Sequence, residues 1–418
     1  MDQKRVVITG IGAITPIGNT VEEYWEGLKN GVSGAGPITL FDASKFKTKF
    51  ACEIKNFEVE KYMDKKEARK LDRFAQLAIA AADQAMEDAG LKADENFDPT
   101  RAGVILGSGI GGLITFQKEV QDFAHGDGTP RFNPFFIPKM ILDIAPGQVS
   151  IRHNLKGPNY ATVSACASST HAMINALDTL RLGKADIILT GGSEAVISEA
   201  GVGGFNSMKA LSERNDDPQT ASRPYDKDRD GFVIGEAGAV VIFETLEHAL
   251  KRGAKIYCEV AGGGATADAY HITAPHPEGH GAEKVMRNAL QDAGMNPEEI
   301  DYINTHGTST PLGDMAEIKA IQNVFGEQAY KLNISSTKSM TGHCLGAAGV
   351  IETIAAIMAV RTNIIPPTIN HFTDDEGLDP KLNMTFNKAQ ERPVNAALSN
   401  TFGFGGHNAA IIVKKYTE

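Results

Sequence analysis

One thiol in this chain stands among side chains too small to crowd it. Cys166 lies in the run Ser164-Ala165-Cys166-Ala167-Ser168-Ser169, ahead of apolar positions Met173, Ile174, Leu177 and Leu180. That spacing predicts a helix ending near Gly183, with Cys166 at or just before its first turn. The N–H groups of a first turn lack partners and the helix dipole favours an anion, so a thiolate would be stabilised there. A nucleophile and a small buried hydrophobe fit this stretch equally well, because free cysteine is among the most buried residue types. Cys52, Cys258 and Cys344 lack the setting and are expected in the core or at the surface.

Three further stretches carry groups that could work with a thiol. His306 opens His-Gly-Thr-Ser-Thr-Pro after the strand-like Asp301–Thr305, on a loop leaving the carboxyl edge of a sheet, where α/β sheets place ligands. A histidine bonded to nearby backbone is the plainer alternative. Lys338, His343 and Glu352 surround a glycine-rich bend before a second small-residue helix. Phe402 and Phe404 are interleaved with Gly403, Gly405 and Gly406, which free the backbone to turn N–H groups towards a ligand and let an aromatic serve as a lid. A tight turn with two core phenylalanines would use the same residues.

Two patterns point elsewhere. Gly107-Ser108-Gly109-Ile110-Gly111-Gly112 after a strand matches a dinucleotide loop, but no second strand ending in an acidic residue follows at the expected distance. His271, His276 and His280 are interrupted by Pro275 and Pro277, a loop whose imidazoles share no helix face, so no metal site is expected.

The elements that must position these groups alternate. Arg5–Thr9, Gly103–Leu106, Asp186–Thr190 and Val240–Phe243 read as buried strands between alanine-rich helices, the pattern of a layered α/β fold. Leu71–Ala89 reads as a helix stopped by Gly90. The chain also echoes itself: Ala85–Leu91 (AMEDAGL) and Ala289–Met295 (ALQDAGM) each precede a strand and a glycine-rich loop, and the Cys166 and His343 stretches each lead into a helix. Two echoes in one order predict two related halves, residues 1–252 and 253–418, in one body.

Composition narrows the class. The 418 residues are 42% hydrophobic and 22% charged, enough for a large core, and the net charge of −11 argues against nucleic acid as a main partner. Four scattered cysteines without a CxxC pair, no apolar run of the ~18 residues a membrane helix needs, and no cleavable leader point to a cytoplasmic protein without membrane partners.

Taken in order, VVITGIGAITPIGNT, GSGIGGL, SACASS, ASRPYDKDRDGFVIGEAGA, THGTSTPLGD, SSTKSMTGHCLGAAG and FGFGGHN resemble the condensing enzymes of fatty-acid synthesis, of the β-ketoacyl-acyl-carrier-protein synthase II type. The resemblance covers essentially the whole chain. It implies the thiolase-like fold, two duplicated α/β halves in a five-layered αβαβα body, usually a homodimer. It implies that Cys166 is the acylated nucleophile, His306 and His343 the two active-site histidines, and Lys338 and Glu352 their supporting pair. The backbone N–H groups of Cys166 and Phe404 would form an oxyanion hole, with Phe404 the gate and the Asp268–Thr273 loop its partner. Ile110, Phe136, Phe205 and Phe402 match substrate-pocket positions, Phe136 reaching across the dimer, and Thr308 and Thr310 match contacts to the pantetheine arm. No cofactor is implied, since the phosphopantetheine comes on the carrier.

The same resemblance separates the relatives. Initiating condensing enzymes pair cysteine with histidine and asparagine, where this chain has His343. Thiolases use a second late cysteine, absent from FGFGGHN, and chain-length-factor subunits lack the nucleophile. A polyketide ketosynthase of the same fold is the nearest alternative, and a non-catalytic partner subunit another. His407 stands where many relatives have threonine. An acidic carrier protein needs a basic landing site, and Lys66, Arg69, Lys70 and Arg73 supply one at the start of a helix, with Lys66, Lys70 and Arg73 expected on one face.

Overall fold

The structure is a computed structural model that describes residues 3–418. Its first half contributes strands β1 (Val6–Ile14), β2 (Ala102–Gly107), β3 (Asn159–Thr162), β4 (Ile187–Glu194) and β5 (Ala237–Thr245). The second contributes β6 (Cys258–Ala267), β7 (Tyr302–Asn304), β8 (Asn333–Ser335), β9 (Ala396–Gly403) and β10 (His407–Lys414). All join one sheet in the order β8-β7-β9-β10-β6-β1-β5-β4-β2-β3. Outward from the central β1–β6 pair, each half runs first, fifth, fourth, second and third strand. Two antiparallel pairs are followed by two parallel ones on both sides. At the centre Val6 lies opposite Val260 and Ile8 opposite Cys258.

Helices repeat the duplication. Helix α1 (Arg73–Ala89) covers the first half and α3 (His280–Ala293), with α4 (Pro311–Phe325) beside it, the second; α1 and α3 each end on a left-handed glycine, Gly90 at φ 61° and Gly294 at φ 62°. These caps are the AMEDAGL and ALQDAGM echo in three dimensions. Both outer helices press close: a Cβ on Gly12 would sit 2.1 Å from the Ala81 carbonyl, and one on Gly264 2.4 Å from that of Val285. Helix α1 starts two residues later than the apolar pattern suggests, because the Asp72 side chain accepts the Phe74 N–H and sets the N-cap there.

Between the outer layers lie α2 (Ser168–Arg181) and α5 (Ala348–Thr362), touching each other and strands of both halves. They complete the five-layered αβαβα arrangement. Their apolar faces share one core with β1, β5, β6 and β10, including Met173, Leu177, Ile351 and Ile354. Helix α5 is apolar nearly all round, as a helix covered on every side should be. With the turn before it, the Leu345–Thr362 stretch is long and apolar enough to cross a membrane, but 83% of it is buried inside the protein.

Candidate active site

Helices α2 and α5 begin alike. Each follows a single turn of 3-10 helix, Ala165–Ala167 and Leu345–Ala347, whose first residue has left-handed backbone, Ala165 at φ 51° and Leu345 at φ 47°. Ser168 holds the first turn closed, its hydroxyl donating to the Ala165 carbonyl at 2.7 Å and accepting the Ser164 N–H at 2.9 Å. Cys166 is thus placed ahead of α2, as expected. The small residues after it serve packing as well as clearance. Thr170 bonds Thr401 at 2.9 Å, Ser169 accepts the Val350 N–H at 3.1 Å, and a Cβ on Gly349 would lie 2.0 Å from the Thr170 hydroxyl.

The two halves bring their polar groups to this turn. The Nε2 atom of His343 lies 3.0 Å from Cys166 Sγ, and the rings of His343 and His306 meet edge to face at 5.3 Å. Phe232 packs edge-on to His343 at 5.2 Å. The GFVIGEAGA stretch fixes the His343 backbone: its N–H donates to Val233 and its carbonyl accepts from Gly235. The SRPYDKDRD stretch does the same for the loop carrying His306. Arg229 donates to the Thr310 and Pro311 carbonyls at 3.3 and 3.0 Å, while Asp314 accepts N–H groups of Tyr225, Ser309 and Thr310.

Charge at the site is balanced by buried groups. Lys338 and Glu352 form an ion pair with exposures of 1% and 0%. Burial pushes the Cys166 thiol up to about 12; the Lys338 ammonium pulls it down, Glu194 pushes it further up, and the Phe404 and Cys166 N–H groups favour the thiolate. The first-turn N–H groups favour the thiolate as expected, but desolvation outweighs them and leaves the resting thiol protonated at neutral pH. Burial and the Lys338 charge hold both imidazoles well below the usual histidine range, so both are neutral. Their Nδ1 atoms are buried without a hydrogen-bond partner.

A cavity of about 560 Å³ opens over Cys166, His306 and His343 and is lined by Ile110, Phe205, Asp268, Thr273, Thr308, Thr310, Phe402 and Phe404. The end of β9 crosses the Cys166 turn so closely that a Cβ on Gly403 would lie 2.7 Å from the Ser164 carbonyl and 3.1 Å from the Cys166 nitrogen. Beyond it Gly405 and Gly406 have φ of 88° and 75°. This turn is zipped to the Asp268–Thr273 loop: Gly405 donates to Ile272, Asp268 donates to the Gly406 carbonyl, and Asn408 reaches the Asp268 carboxylate at 2.7 Å. The His407 ring folds back against Gly405.

Other predicted residues stand apart. Phe136 is outside this cavity, stacked between Phe116 and Phe132 at 6.3 and 5.5 Å. Lys66, Arg69 and Lys70 are exposed, but no single helix carries the basic cluster: a short helix ends at Ala68 and α1 begins at Arg73. Arg73 is corrected as a docking residue. Its guanidinium grips the fully buried Glu236 carboxylate with two bonds of 2.7 Å. The dinucleotide-like loop is also accounted for: the N–H groups of Gly109, Ile110 and Gly111, which a phosphate would need, donate to Glu194. His276 packs against Tyr270 and His280. Two carboxylates at the site, Glu194 and Glu317, carry no local sequence signal, because their partners are largely backbone amides.

A thiol beside two neutral imidazoles, where two duplicated α/β halves meet, defines a thiolase-like condensing enzyme. The chain belongs to the β-ketoacyl synthase family: residues 3–249 match its N-terminal domain and residues 257–372 its C-terminal domain. The chain is 48% identical to the 3-oxoacyl-[acyl-carrier-protein] synthase 2 of Coxiella burnetii, covering 99% of both chains. It is 49% identical to that of Staphylococcus aureus strain COL, again over 99% of both. Among solved structures, the ishigamide ketosynthase/chain length factor is 36% identical with a TM-score of 0.91 over 100% of both chains. A type II polyketide ketosynthase solved in complex with its acyl-carrier protein is 31% identical with a TM-score of 0.89, also over 100% of both.

Proposed function

We propose that the site elongates fatty acyl chains by decarboxylative Claisen condensation, and that Cys166, His306 and His343 are its catalytic residues. The observation that carries this is the 3.0 Å contact between Cys166 Sγ and His343 Nε2, with His306 beside it in the same cavity. Identity of 48–49% to two 3-oxoacyl-[acyl-carrier-protein] synthase 2 enzymes, against 31% to the type II polyketide ketosynthase, supports fatty-acid elongation over polyketide synthesis. An intact Cys166 speaks against a non-catalytic subunit.

In the first step Cys166 attacks the acyl thioester on the carrier's phosphopantetheine; the new C–S bond forms, the old one breaks, and the thiol proton ends on the departing pantetheine sulfur. The N–H groups of Cys166 and Phe404, which favour the thiolate, would hold the tetrahedral oxyanion. Malonyl-carrier then loses CO2, and the enolate oxygen needs donors. A buried unpaired N–H is tolerated less well than an unpaired lone pair, so the bare Nδ1 atoms support an N–H on each Nε2, from which it would donate to that oxygen. The carbanion attacks acyl-Cys166, the C–C bond forms, and the released cysteine regains a proton from solvent. Lys338 and Glu352 act as the supporting pair, and Thr308 and Thr310 line the path of the pantetheine arm. One such donor is worth roughly 3 kcal/mol of barrier.

The partners follow from that chemistry: acyl- and malonyl-loaded carrier proteins, with Lys66, Arg69 and Lys70 as a docking patch, in the cytoplasm and with no bound cofactor. A homodimer is supported by the edge strand β3 and by exposed Phe116, Phe123, Phe132 and Phe135 on the same half; Phe136 would then face the partner's pocket. The halves are assigned to residues 1–252 and 253–418. The deciding experiment supplies acyl-carrier substrates of graded length with malonyl-carrier and records CO2 and 3-ketoacyl product. Product that disappears in Cys166→Ala is expected; no product at any length overturns the function.

A further inference from the structure

Glu194 ends β4 with no exposed surface, yet five donors converge on its carboxylate. Ser108 Oγ donates at 3.1 Å, and the N–H groups of Gly109, Ile110 and Gly111 at 2.7, 3.1 and 3.0 Å. Gly346 N–H donates from the other half at 3.1 Å. Burial raises the Glu194 carboxyl, and the Gly111, Ile110, Gly109 and Gly346 N–H groups draw it back. Nothing in the cage accepts a proton from a carboxylic acid, and with five donors, more than Glu317 meets, the anion is the form this cage fits. The cage is tight: a Cβ on Gly346 would lie 2.3 Å from the Gly109 nitrogen, and one on Gly109 3.1 Å from the Ala165 carbonyl. Two backbones therefore meet at one side chain, the loop carrying Ile110 and the turn after His343 carrying Leu345, and the Cys166 turn packs against the first of them at Gly109. Ile110 and Leu345 both line the cavity beside Cys166.

We propose that Glu194 is a positioning and specificity-determining residue, whose carboxylate clamps the Ile110 loop to the Leu345 turn and so sets which acyl chains Cys166 accepts. The glycine-rich loop is then an anion nest whose anion is internal, and its job is to shape an acyl pocket. The clamp rests on the reading of Cys166 as acyl acceptor. It also sets charge beside the thiol, opposite in sign to Lys338, while the other titratable groups at the thiol, His343 and His306, are neutral.

The test is Glu194→Gln, which keeps the volume but turns an NH2 group towards amide donors. Acylation of Cys166 by acyl-carrier thioesters of graded length is read by protein mass, and alkylation by iodoacetamide is followed at pH 7. The ratio of long- to short-chain acylation is expected to change by at least ~5-fold. Removal of the negative charge is expected to raise the alkylation rate ~3-fold or more. A folded variant with an unchanged chain-length ratio overturns the proposal, whatever its alkylation rate. Should that variant not fold, Ser108→Ala removes a single donor and is expected to shift the ratio in the same direction by less; an unchanged ratio there overturns the proposal equally. Wild-type acylation at Cys166, read on the same samples, tests the parent reading separately.

Discussion

Glu317 accepts the backbone N–H of His306 at 2.9 Å, and its second oxygen accepts that of Gly307 at 2.8 Å. A helical carboxylate on Pro311–Phe325 thus fixes the loop that carries His306 without touching its ring. Asn400, from β9, donates to the same carboxylate at 3.2 Å and ties that loop to the sheet.

Glu317→Ala would leave two buried N–H groups unpaired, at about 1–3 kcal/mol each. Stability and malonyl decarboxylation should both fall, while acylation of Cys166 by a small thioester falls less. The native group also titrates in a useful range, since burial pushes Glu317 up to about 7. A carboxyl raised in the folded state binds its proton more tightly there than in the unfolded chain. Its contribution is complete below the ordinary value of about 4.3 and is lost as pH rises through about 7. Melting curves between pH 4 and 8 should therefore show a decline that Glu317→Gln flattens.

Lys338 should act through charge. Lys338→Met removes the ammonium that pulls the Cys166 thiol down and holds both imidazoles low. Iodoacetamide alkylation at pH 8 should slow by about tenfold for each pKa unit by which the thiol rises. Breaking the buried pair should also cost about 3–5 kcal/mol, partly recovered by Lys338→Met with Glu352→Leu, which leaves no unpaired charge. An unchanged alkylation profile in the folded double variant would remove the electrostatic role.

Gly403 should tolerate no side chain, because its Cβ position is 2.7 Å from the Ser164 carbonyl and 3.1 Å from the Cys166 nitrogen. Gly403→Val must displace the strand end from the nucleophile turn and, with it, the Phe404 N–H. A shift of about 1 Å in such a constellation lowers the rate on the order of a hundredfold. Mass spectrometry of acyl-enzyme formation checks this, alongside the melting temperature, which should move far less.

The legible parts of the site were those that announce themselves by residue type. A cysteine ahead of a small-residue helix, histidines at strand ends and interleaved glycines each carry a local pattern. The left-handed caps at Gly90 and Gly294 made the duplication visible too. Glu194 and Glu317 left no such mark, because a carboxylate bound to backbone amides constrains the shape of its partners and not their identity. The thiol's protonation was likewise hidden, since desolvation depends on what the fold places around Cys166 and not on the turn that holds it. The break between Ala68 and Arg73 does have a sequence signal, since Asp72 before Arg73-Phe74 is an N-cap pattern, but basic residues continuing across it mask it.

That break changes what charge reversal should do. Lys66 and Lys70 are exposed, with Lys70 above the Phe135 ring at 5.4 Å, whereas Arg73 is committed to Glu236. Lys66→Glu with Lys70→Glu should raise KM for carrier-bound substrates by about tenfold, an effect that shrinks as salt screens the pair of acidic and basic surfaces. Acylation by a small thioester should be unchanged, because the cavity and Cys166 are untouched. Arg73→Glu should behave differently, since it places a second carboxylate against a buried one and strips Glu236 of its partner. Its expected phenotype is a loss of about 3–5 kcal/mol of stability, with KM in any surviving folded fraction near that of the parent. Steady-state kinetics at two ionic strengths, paired with melting curves, separates the two. A raised KM in a stable Arg73→Glu variant would return that residue to the docking surface and sink its structural assignment.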